Sequence, residues 1–161
     1  MMQFRTFAYE DALFCHTIRK KAFTELFDRA LTQAEISACV NAYTLYDYIR
    51  MPKAGEFFIV EENGSPRGFF TLQRRTRKRA EISLIYLDPD HLGKGIGREC
   101  MLWLERWVGT NWPEVTHLAV DTVTPRKNSS FFEAMGFTEA GETVCHFPDM
   151  DIPATRLIKS L

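Results

Sequence analysis

The N-terminal part of the chain combines a strand-like pattern with helical ones. Polar and apolar residues alternate around Phe4, which is typical of a strand. Apolar side chains then recur every three or four positions over residues 13–27, which predicts an amphipathic helix. A second helix is predicted from Thr32 to Arg50, because Thr32 and Glu35 have the spacing of a capping box.

The middle of the chain predicts a hairpin and a further strand. The apolar runs at 55–62 and 68–73 are separated by Asn63-Gly64, a dipeptide typical of a tight hairpin turn. Another strand is predicted over residues 80–87. The basic segment RRTRKR, residues 74–79, precedes it and is predicted to be a turn.

A glycine-rich segment, LGKGIG at residues 92–97, leads into the strongest helical pattern of the chain. From Ile96 to Trp107, apolar side chains occupy one face and charged side chains the other. The pattern then predicts a strand over residues 115–123, a short helix over 128–135 and two strands from Phe137 onward.

The predicted order is strand, two helices, three strands, helix, strand, helix and two strands. This order indicates a single α/β domain over residues 1–161, built around a mostly antiparallel sheet. The chain has a net charge of -1, which gives no overall attraction to nucleic acid or to an anionic membrane. The basic segment 74–79 has no interleaved aromatic residues, so we expect a solvated turn and no nucleic-acid partner.

Apolar runs and cysteines indicate the compartment. No apolar run is long enough to cross a bilayer, and the N-terminus lacks the apolar region of a signal peptide, so we expect a cytoplasmic protein with no membrane partner. The four cysteines lie far apart without a C-x-x-C pair, which predicts reduced, packed thiols. Because metal-ligand spacing is missing, we expect no metal site.

The glycine-rich segment has the position of a phosphate-binding loop. Glycines allow the backbone to approach an anion, and the first amides of the following helix have no partner within the helix. Two nucleotide-binding patterns do not fit this segment. Asp88 stands at the first glycine of a P-loop, and Arg98 stands at the last glycine of the dinucleotide pattern G-x-G-x-x-G.

A different family pattern fits the same segment. The stretch ISLIYLDPDHLGKGIG, residues 82–97, resembles the strand and the R/Q-x-x-G-x-G/A loop of the GNAT N-acetyltransferases. NSSFFEAMGF, residues 128–137, resembles the short helix of that family, which ends in Gly-Phe. FRTFAYEDA, residues 4–12, resembles its first strand and the start of its first helix. Together these stretches are spread over residues 4–137 of the chain. The resemblance implies a GNAT fold, acetyl-CoA as co-substrate and transfer of an acetyl group to a primary amine.

The resemblance also implies which residues contact the cofactor. The backbone around Leu87 would bind the pantetheine arm and the acetyl carbonyl, and the glycine loop would surround the pyrophosphate. Asn128 would lie near the pantetheine, although an N-cap of the short helix is an equally good role for it. The implied cofactor-binding residues are Ile85, Tyr86, Leu87, Leu92, Gly93, Lys94, Gly95, Ile96, Gly97, Arg98, Asn128 and Phe132.

Two positions depart from the family pattern. Leu92 stands where the family usually has Arg or Gln, so one side-chain contact is lost while the backbone loop can still bind. Phe132 stands where many members have a Tyr that protonates the leaving CoA thiolate. A thiol with a pKa near 8.5 can leave as thiolate at neutral pH at a cost of about 2 kcal/mol, so the reaction does not require that acid.

Transfer to an amine requires removal of a proton, because an alkyl amine is protonated at neutral pH. Glu81 is the first candidate base, since some family members carry their base six residues before the last apolar residue of the strand, which is Leu87 here. Asp121, at the end of the next strand, is the alternative. Either carboxylate could instead be a solvent-facing strand residue.

The acceptor is expected to be a small molecule or a peptide with a primary amine, and the fold allows a homodimer. An alternative function is a CoA-binding regulatory module with the same fold and little turnover, which Leu92 and Phe132 motivate. A third hypothesis is transfer of an acyl chain longer than acetyl, which depends on the depth of the acyl-binding cavity.

Overall fold

The computed structural model describes residues 1–27, 29–123 and 129–161. These residues form a seven-stranded sheet with the order β1-β2-β3-β4-β5-β7-β6, in which β4 and β5 are parallel and the other neighbours antiparallel. The predicted α/β class with a mostly antiparallel sheet is confirmed. The strands are β1 (Met2–Thr6), β2 (Glu56–Glu62), β3 (Ser65–Arg74), β4 (Arg79–Leu87), β5 (His117–Val123), β6 (Thr138–His146) and β7 (Asp151–Ser160), and the helices are α1 (Ala12–Leu26), α2 (Gln33–Asn41), α3 (Leu45–Arg50), α4 (Ile96–Asn111) and α5 (Ser129–Ala134).

The prediction of one helix from Thr32 to Arg50 is wrong, because α2 and α3 are separate helices. Thr32 caps α2, and its hydroxyl accepts a hydrogen bond from the Glu35 amide at 3.1 Å. A second capping box begins α3, where the Thr44 hydroxyl accepts from the Asp47 amide at 3.3 Å and the Asp47 carboxylate accepts from the Thr44 amide at 2.7 Å. This second box stabilises a new helix start.

The helices cover both faces of the sheet. α4 and α5 pack on one face around Phe58, Phe70 and Leu104, which are buried in the largest apolar cluster. α1 and α3 pack on the other face, over Phe57 and Phe69. Adjacent residues of β2 and of β3 therefore point to opposite faces, as the two-residue period of a strand requires.

An extra residue in β4 changes this alternation and positions the site described below. Leu72 of β3 pairs with Ile82 and Thr71 pairs with Leu84, so Ser83 has no partner across the ladder and forms a β-bulge. Before the bulge, Ile82 packs on the α4 face; after it, Leu84 packs on the α1 face. The parallel pairing of β4 with β5 ends at Ile82 and Val120, although both strands continue.

All four cysteines are free thiols, as the sequence predicts. Cys15, Cys39 and Cys100 are buried and Cys145 is half-buried. Burial raises the pKa of the Cys39 thiol to about 11. None of the described helices has the length and apolar character needed to span a membrane.

Arg5 of β1 joins three parts of the fold. Its guanidinium donates to both carboxylate oxygens of Asp11, at 2.8 Å each, and to Glu61 of β2 at 2.6 Å. Asp11 also accepts a hydrogen bond from the Ala8 amide at 2.8 Å. The hydrogen bonds from Arg5 lower the pKa of Asp11, although burial opposes this effect. The Asp11 carboxylate therefore holds the start of α1 against the edge of the sheet.

We expect Asp11→Asn to lower the free energy of unfolding by about 1–2 kcal/mol, because it removes charge-assisted hydrogen bonds that are partly screened by solvent. Asp149→Asn, at an exposed position, is the control and should change stability by less than about 0.5 kcal/mol. A group with a lowered pKa stabilises the fold above its ordinary pKa, 3.8 for Asp11, and loses this effect as the pH falls. The stability gap between parent and Asp11→Asn, measured by urea unfolding, should therefore close in acid; a gap independent of pH would contradict the assignment.

Candidate active site

A cavity of about 480 Å³ lies where β4 and β5 separate. It is lined from the α1 face by Arg19 and Tyr86 and from the α4 face by Ile85 and Phe132. Because residues of both faces line it, the cavity passes through the sheet at the gap. The Ser83 hydroxyl at the bulge also lines this cavity, and it is buried without a hydrogen-bond partner.

Two carboxylates line the same cavity, and each is held by an arginine. Glu81 accepts hydrogen bonds from Arg75 Nε and Nη2 at 3.1 and 3.2 Å. Asp121 accepts from Arg156 Nε and Nη2 at 2.8 and 2.9 Å. The structure thus brings together the two carboxylates that the sequence indicates as candidate bases. It also shows that neither is a free carboxylate, which the sequence did not predict.

The basic segment 74–79 is engaged mainly in ion pairs at the turn between β3 and β4. Arg74 and Arg77 both donate to Glu114, at 2.9 and 2.8 Å, and Arg75 reaches Glu81. These contacts agree with the predicted turn. They also bring one cation of the segment to the wall of the cavity.

The glycine loop forms the N-terminus of α4. Gly93 and Gly95 have positive φ angles of 80° and 85°, a conformation that glycine adopts without strain. A β-carbon at either glycine would meet nothing within 4 Å, so both face open space. The first hydrogen bond of the helix runs from the Glu99 amide to the Gly95 carbonyl, which leaves the amides of residues 96–98 without a partner inside the helix. Such a helix start attracts anions.

A second cavity, of about 250 Å³, connects the glycine loop with the gap between the strands. It is lined by Leu92 and Gly97 at one end and shares Ile85, Tyr86 and Phe132 with the larger cavity. A glycine fits best at position 97, because a β-carbon there would lie 3.0 Å from the Phe131 ring, which is shorter than an ordinary van der Waals contact. The two cavities therefore adjoin and form a channel from the loop to the carboxylates, with mainly apolar residues lining the part next to the loop.

α1 is fastened to the loop by an ion-pair cluster. Lys21 Nζ donates to Asp88 at 2.9 Å and to Asp90 at 2.6 Å, and His91 Nδ1 lies 3.0 Å from the Asp88 carboxylate. Burial would raise the pKa of Asp88, but the hydrogen bonds from Lys21 and from the Asp90 amide lower it. The Asp-Pro dipeptide after β4 thus has a structural role in positioning the loop relative to α1.

The predicted cofactor residues converge on this channel in different ways. Ile85, Tyr86, Leu87, Leu92, Gly97 and Phe132 line the smaller cavity, and Gly93, Lys94, Gly95 and Arg98 lie on the adjoining loop or helix start. The Ile96 side chain is buried in the apolar core, so only its backbone faces the loop. Phe132 is also buried in that core and packs against Phe131 and Phe137. Asn128 lies outside the described residues.

Sequence reasoning missed Arg19, a buried arginine on α1. Its guanidinium carbon lies 4.7 Å from the ring centroid of Tyr43, 4.8 Å from that of Phe23 and 5.5 Å from that of Tyr86. The signal in the sequence is a charged residue on the apolar side of a helix, between Ile18 and Ala22, which are both buried. The predicted apolar face begins at Leu13, which is 63% exposed, whereas the buried face of α1 includes Arg19.

Comparison with known proteins gives a family and a fold. A family model described as the acetyltransferase (GNAT) family matches residues 15–137 of this chain. No curated protein sequence matches the chain significantly. Among solved structures, a GCN5-related N-acetyltransferase from Rhodopseudomonas palustris is similar with a TM-score of 0.85 and 20% identity, over 99% of this chain and 95% of that one.

Two further solved structures have the same fold. PaiA N-acetyltransferase from Thermoplasma acidophilum, in complex with coenzyme A, has a TM-score of 0.82 and 16% identity, over 100% of this chain and 99% of that one. The ribosomal-protein-S18-alanine N-acetyltransferase from Escherichia coli has a TM-score of 0.71 and 18% identity, over 99% and 94% of the two chains. At these identities the similarity establishes the fold.

Proposed function

Because the chain belongs to the GNAT acetyltransferase family, we propose that it transfers an acetyl group from acetyl-CoA to the primary amine of a small molecule or peptide. The observation that carries this proposal is the continuous channel from the glycine loop, through the gap between β4 and β5, to two carboxylates. Such a channel can hold a long thioester with its phosphates at one end and its acyl group at the other. The four free cysteines favour the cytoplasm as the compartment.

The helix start would bind the pyrophosphate of acetyl-CoA. The free amides of residues 96–98 and the positive end of the α4 dipole provide donors for an anion, and the exposed Lys94 and Arg98 add positive charge nearby. The pantetheine arm would follow the smaller cavity along Ile85 and Leu87. A similar fold holds coenzyme A in the Thermoplasma acidophilum structure, which supports this placement.

In the reaction, the neutral amine attacks the thioester carbonyl carbon, a C–N bond forms and the C–S bond breaks. The amine proton goes to a base, and CoA leaves as thiolate or takes up a proton from water. We assign the base role to Glu81, acting directly or through a water. Its hydrogen bonds to Arg75 are longer than those that hold Asp121 to Arg156, and Arg75 is the more exposed arginine, so Glu81 is less firmly engaged.

The leaving thiolate has no acid at Phe132, because that residue carries no hydroxyl and its ring is packed in the core. The same position motivates the competing function of a CoA-binding module with little turnover. Binding of CoA is common to both functions, so turnover has to be measured.

The first test combines binding with turnover. Acetyl-CoA at a hundredfold excess over its dissociation constant should add about 2.7 kcal/mol to stability and raise the melting temperature by several degrees, while ATP or NAD should not. Release of free CoA thiol in the presence of a panel of primary amines should then identify an acceptor. No thermal shift would contradict the cofactor assignment, and a shift without thiol release for any amine would favour the regulatory module.

Gly95→Val tests the loop, with Gly64→Val in the β2–β3 turn as a matched control. Both glycines have positive φ angles, 85° and 78°, and both face open space, so the two substitutions carry a similar backbone penalty. Only Gly95→Val places a side chain on the path of the pyrophosphate. We expect it to weaken CoA binding at least tenfold more than Gly64→Val, as measured by calorimetry. Equal affinities in the two variants would exclude the loop as the binding site.

Glu81→Gln tests the base, with Arg75→Gln as the control that breaks the same ion pair but keeps the carboxylate. General-base assistance is typically worth about a hundredfold to ten-thousandfold, so kcat of Glu81→Gln should fall on that scale with the KM for acetyl-CoA nearly unchanged. A higher pH should recover part of the loss, because more amine is then neutral. Arg75→Gln should keep most of kcat. If kcat falls equally in both variants, the ion pair is structural and Asp121 becomes the candidate base.

A further inference from the structure

Arg19 is a buried cation at the acceptor side of the cavity. Arg19 is 2% exposed, and it lines the larger cavity from the α1 face of the sheet. Its Nη1 donates to the Cys39 carbonyl, while Nε is buried without a hydrogen-bond partner. Across residues 1–27, 29–123 and 129–161, no carboxylate forms an ion pair with it. A buried charge is costly unless something pairs with it.

The aromatic rings around Arg19 stabilise its charge without neutralising it. Tyr43, Phe23 and Tyr86 present their faces to the guanidinium at 4.7 to 5.5 Å, which is the geometry of a cation–π contact. Burial raises the pKa of Tyr86, although Arg19 opposes this effect, so its phenol is neutral. The same is true of Tyr48, where burial again raises the pKa. The positive charge of Arg19 therefore faces a cavity that contains no counter-charge from these rings.

The other charges of the cavity wall already have partners. Glu81 is paired with Arg75, and Asp121 is paired with Arg156 through two hydrogen bonds. The charge left over among the described lining residues is that of Arg19. This balance favours an acceptor that brings a negative group as well as its amine.

We propose that the acceptor is a free amino acid, or a similarly small amine with a carboxylate, and that Arg19 binds this carboxylate. The proposal rests on the acetyltransferase function proposed above and specifies its substrate class. The guanidinium has the planar geometry that matches a carboxylate with two parallel hydrogen bonds. A cavity of about 480 Å³ is in the range of small-molecule sites. The carboxylate at Arg19 would direct the amine across the gap toward the thioester and Glu81.

The test compares amines that differ only in the carboxylate. The common α-amino acids, with β-alanine and γ-aminobutyrate, are assayed with acetyl-CoA beside their carboxamides and their decarboxylated amines. Rates are compared at equal concentrations of unprotonated amine, because the pKa of the amine differs between the acid, its carboxamide and its decarboxylated amine. For the best acceptor we expect kcat/KM of the acid to exceed that of its amide by about 10- to 100-fold, the scale of a charge-assisted hydrogen-bonded pair.

Variants of Arg19 test whether its guanidinium causes the preference for the acid over the amide. In Arg19→Gln, kcat/KM for the acid should fall by about 10- to 100-fold, while kcat/KM for the amide should change by less than about threefold. Arg19→Lys keeps the charge but loses the planar fork, so it should lie between parent and Arg19→Gln. Arg106→Gln, at an exposed position of α4 on the opposite face of the sheet, should leave kcat/KM unchanged for both the acid and the amide. Equal losses for acid and amide in Arg19→Gln would mean that Arg19 only supports the fold, and would overturn the proposal.

The comparison in the parent protein is independent of whether the variants fold. If amides or decarboxylated amines are acetylated as well as the acids, the carboxylate site is wrong while the acetyltransferase function stands. If acetyl-CoA binds but no amine is acetylated, the proposed function fails. The carboxylate site is then tested by ligand binding alone. In the presence of CoA, N-acetyl amino acids should then raise the melting temperature more than N-acetyl amino acid amides do; equal shifts would overturn the proposal.

Discussion

The parallel pairing of β4 and β5 stops at Ile82 and Val120, and the channel of the site depends on this interruption. The extra residue Ser83 turns the next side chains to the other face, and a bulge of this kind bends the strand that carries it. Beyond this point, the backbone groups on that edge of β4 have no strand to pair with, and buried backbone groups need partners. A sheet that opens in its centre therefore offers hydrogen bonds to a ligand in the same place where it makes room for one.

The charges of the site are separated along the channel. At the loop, partial positive charge comes from helix amides and from exposed basic side chains. In the larger cavity, one carboxylate is compensated by an arginine of the β3–β4 turn and the other by an arginine of β7, and a further arginine comes from a helix. The Lys21 cluster connects these two ends, because the same helix carries Lys21 toward Asp88 and Arg19 into the cavity. α1 therefore positions this wall of the larger cavity relative to the loop.

Those parts of the fold that depend on local patterns could be predicted from the sequence. Alternation in the strands, the Asn63-Gly64 turn and the glycine-rich start of α4 each follow from residue types in a short window. The break between α2 and α3 is not predicted, because helical periodicity continues across Thr44 and the second capping box is completed by Asp47, whereas the typical capping box has a Glu or Gln at that position. The bulge at Ser83 was missed because its signal is the register of two paired strands, which no single segment shows. Arg19 was missed because its significance lies in its surroundings, which residues 43 and 86 provide from distant parts of the chain.

Cys145 has a consequence for the proposed transfer from a thioester. This thiol lines the larger cavity, near the place where an acetyl thioester would lie. A thiolate there would exchange with the thioester and become acetylated itself, which would block the site, since the thiolate is the nucleophilic form of cysteine. Burial raises the pKa of Cys145, and the nearby Asp121 and Glu81 carboxylates raise it further. In the proposed reaction, the carboxylates that line this cavity would thus have a second effect, since they favour the protonated, less nucleophilic form of the protein's own sulfur.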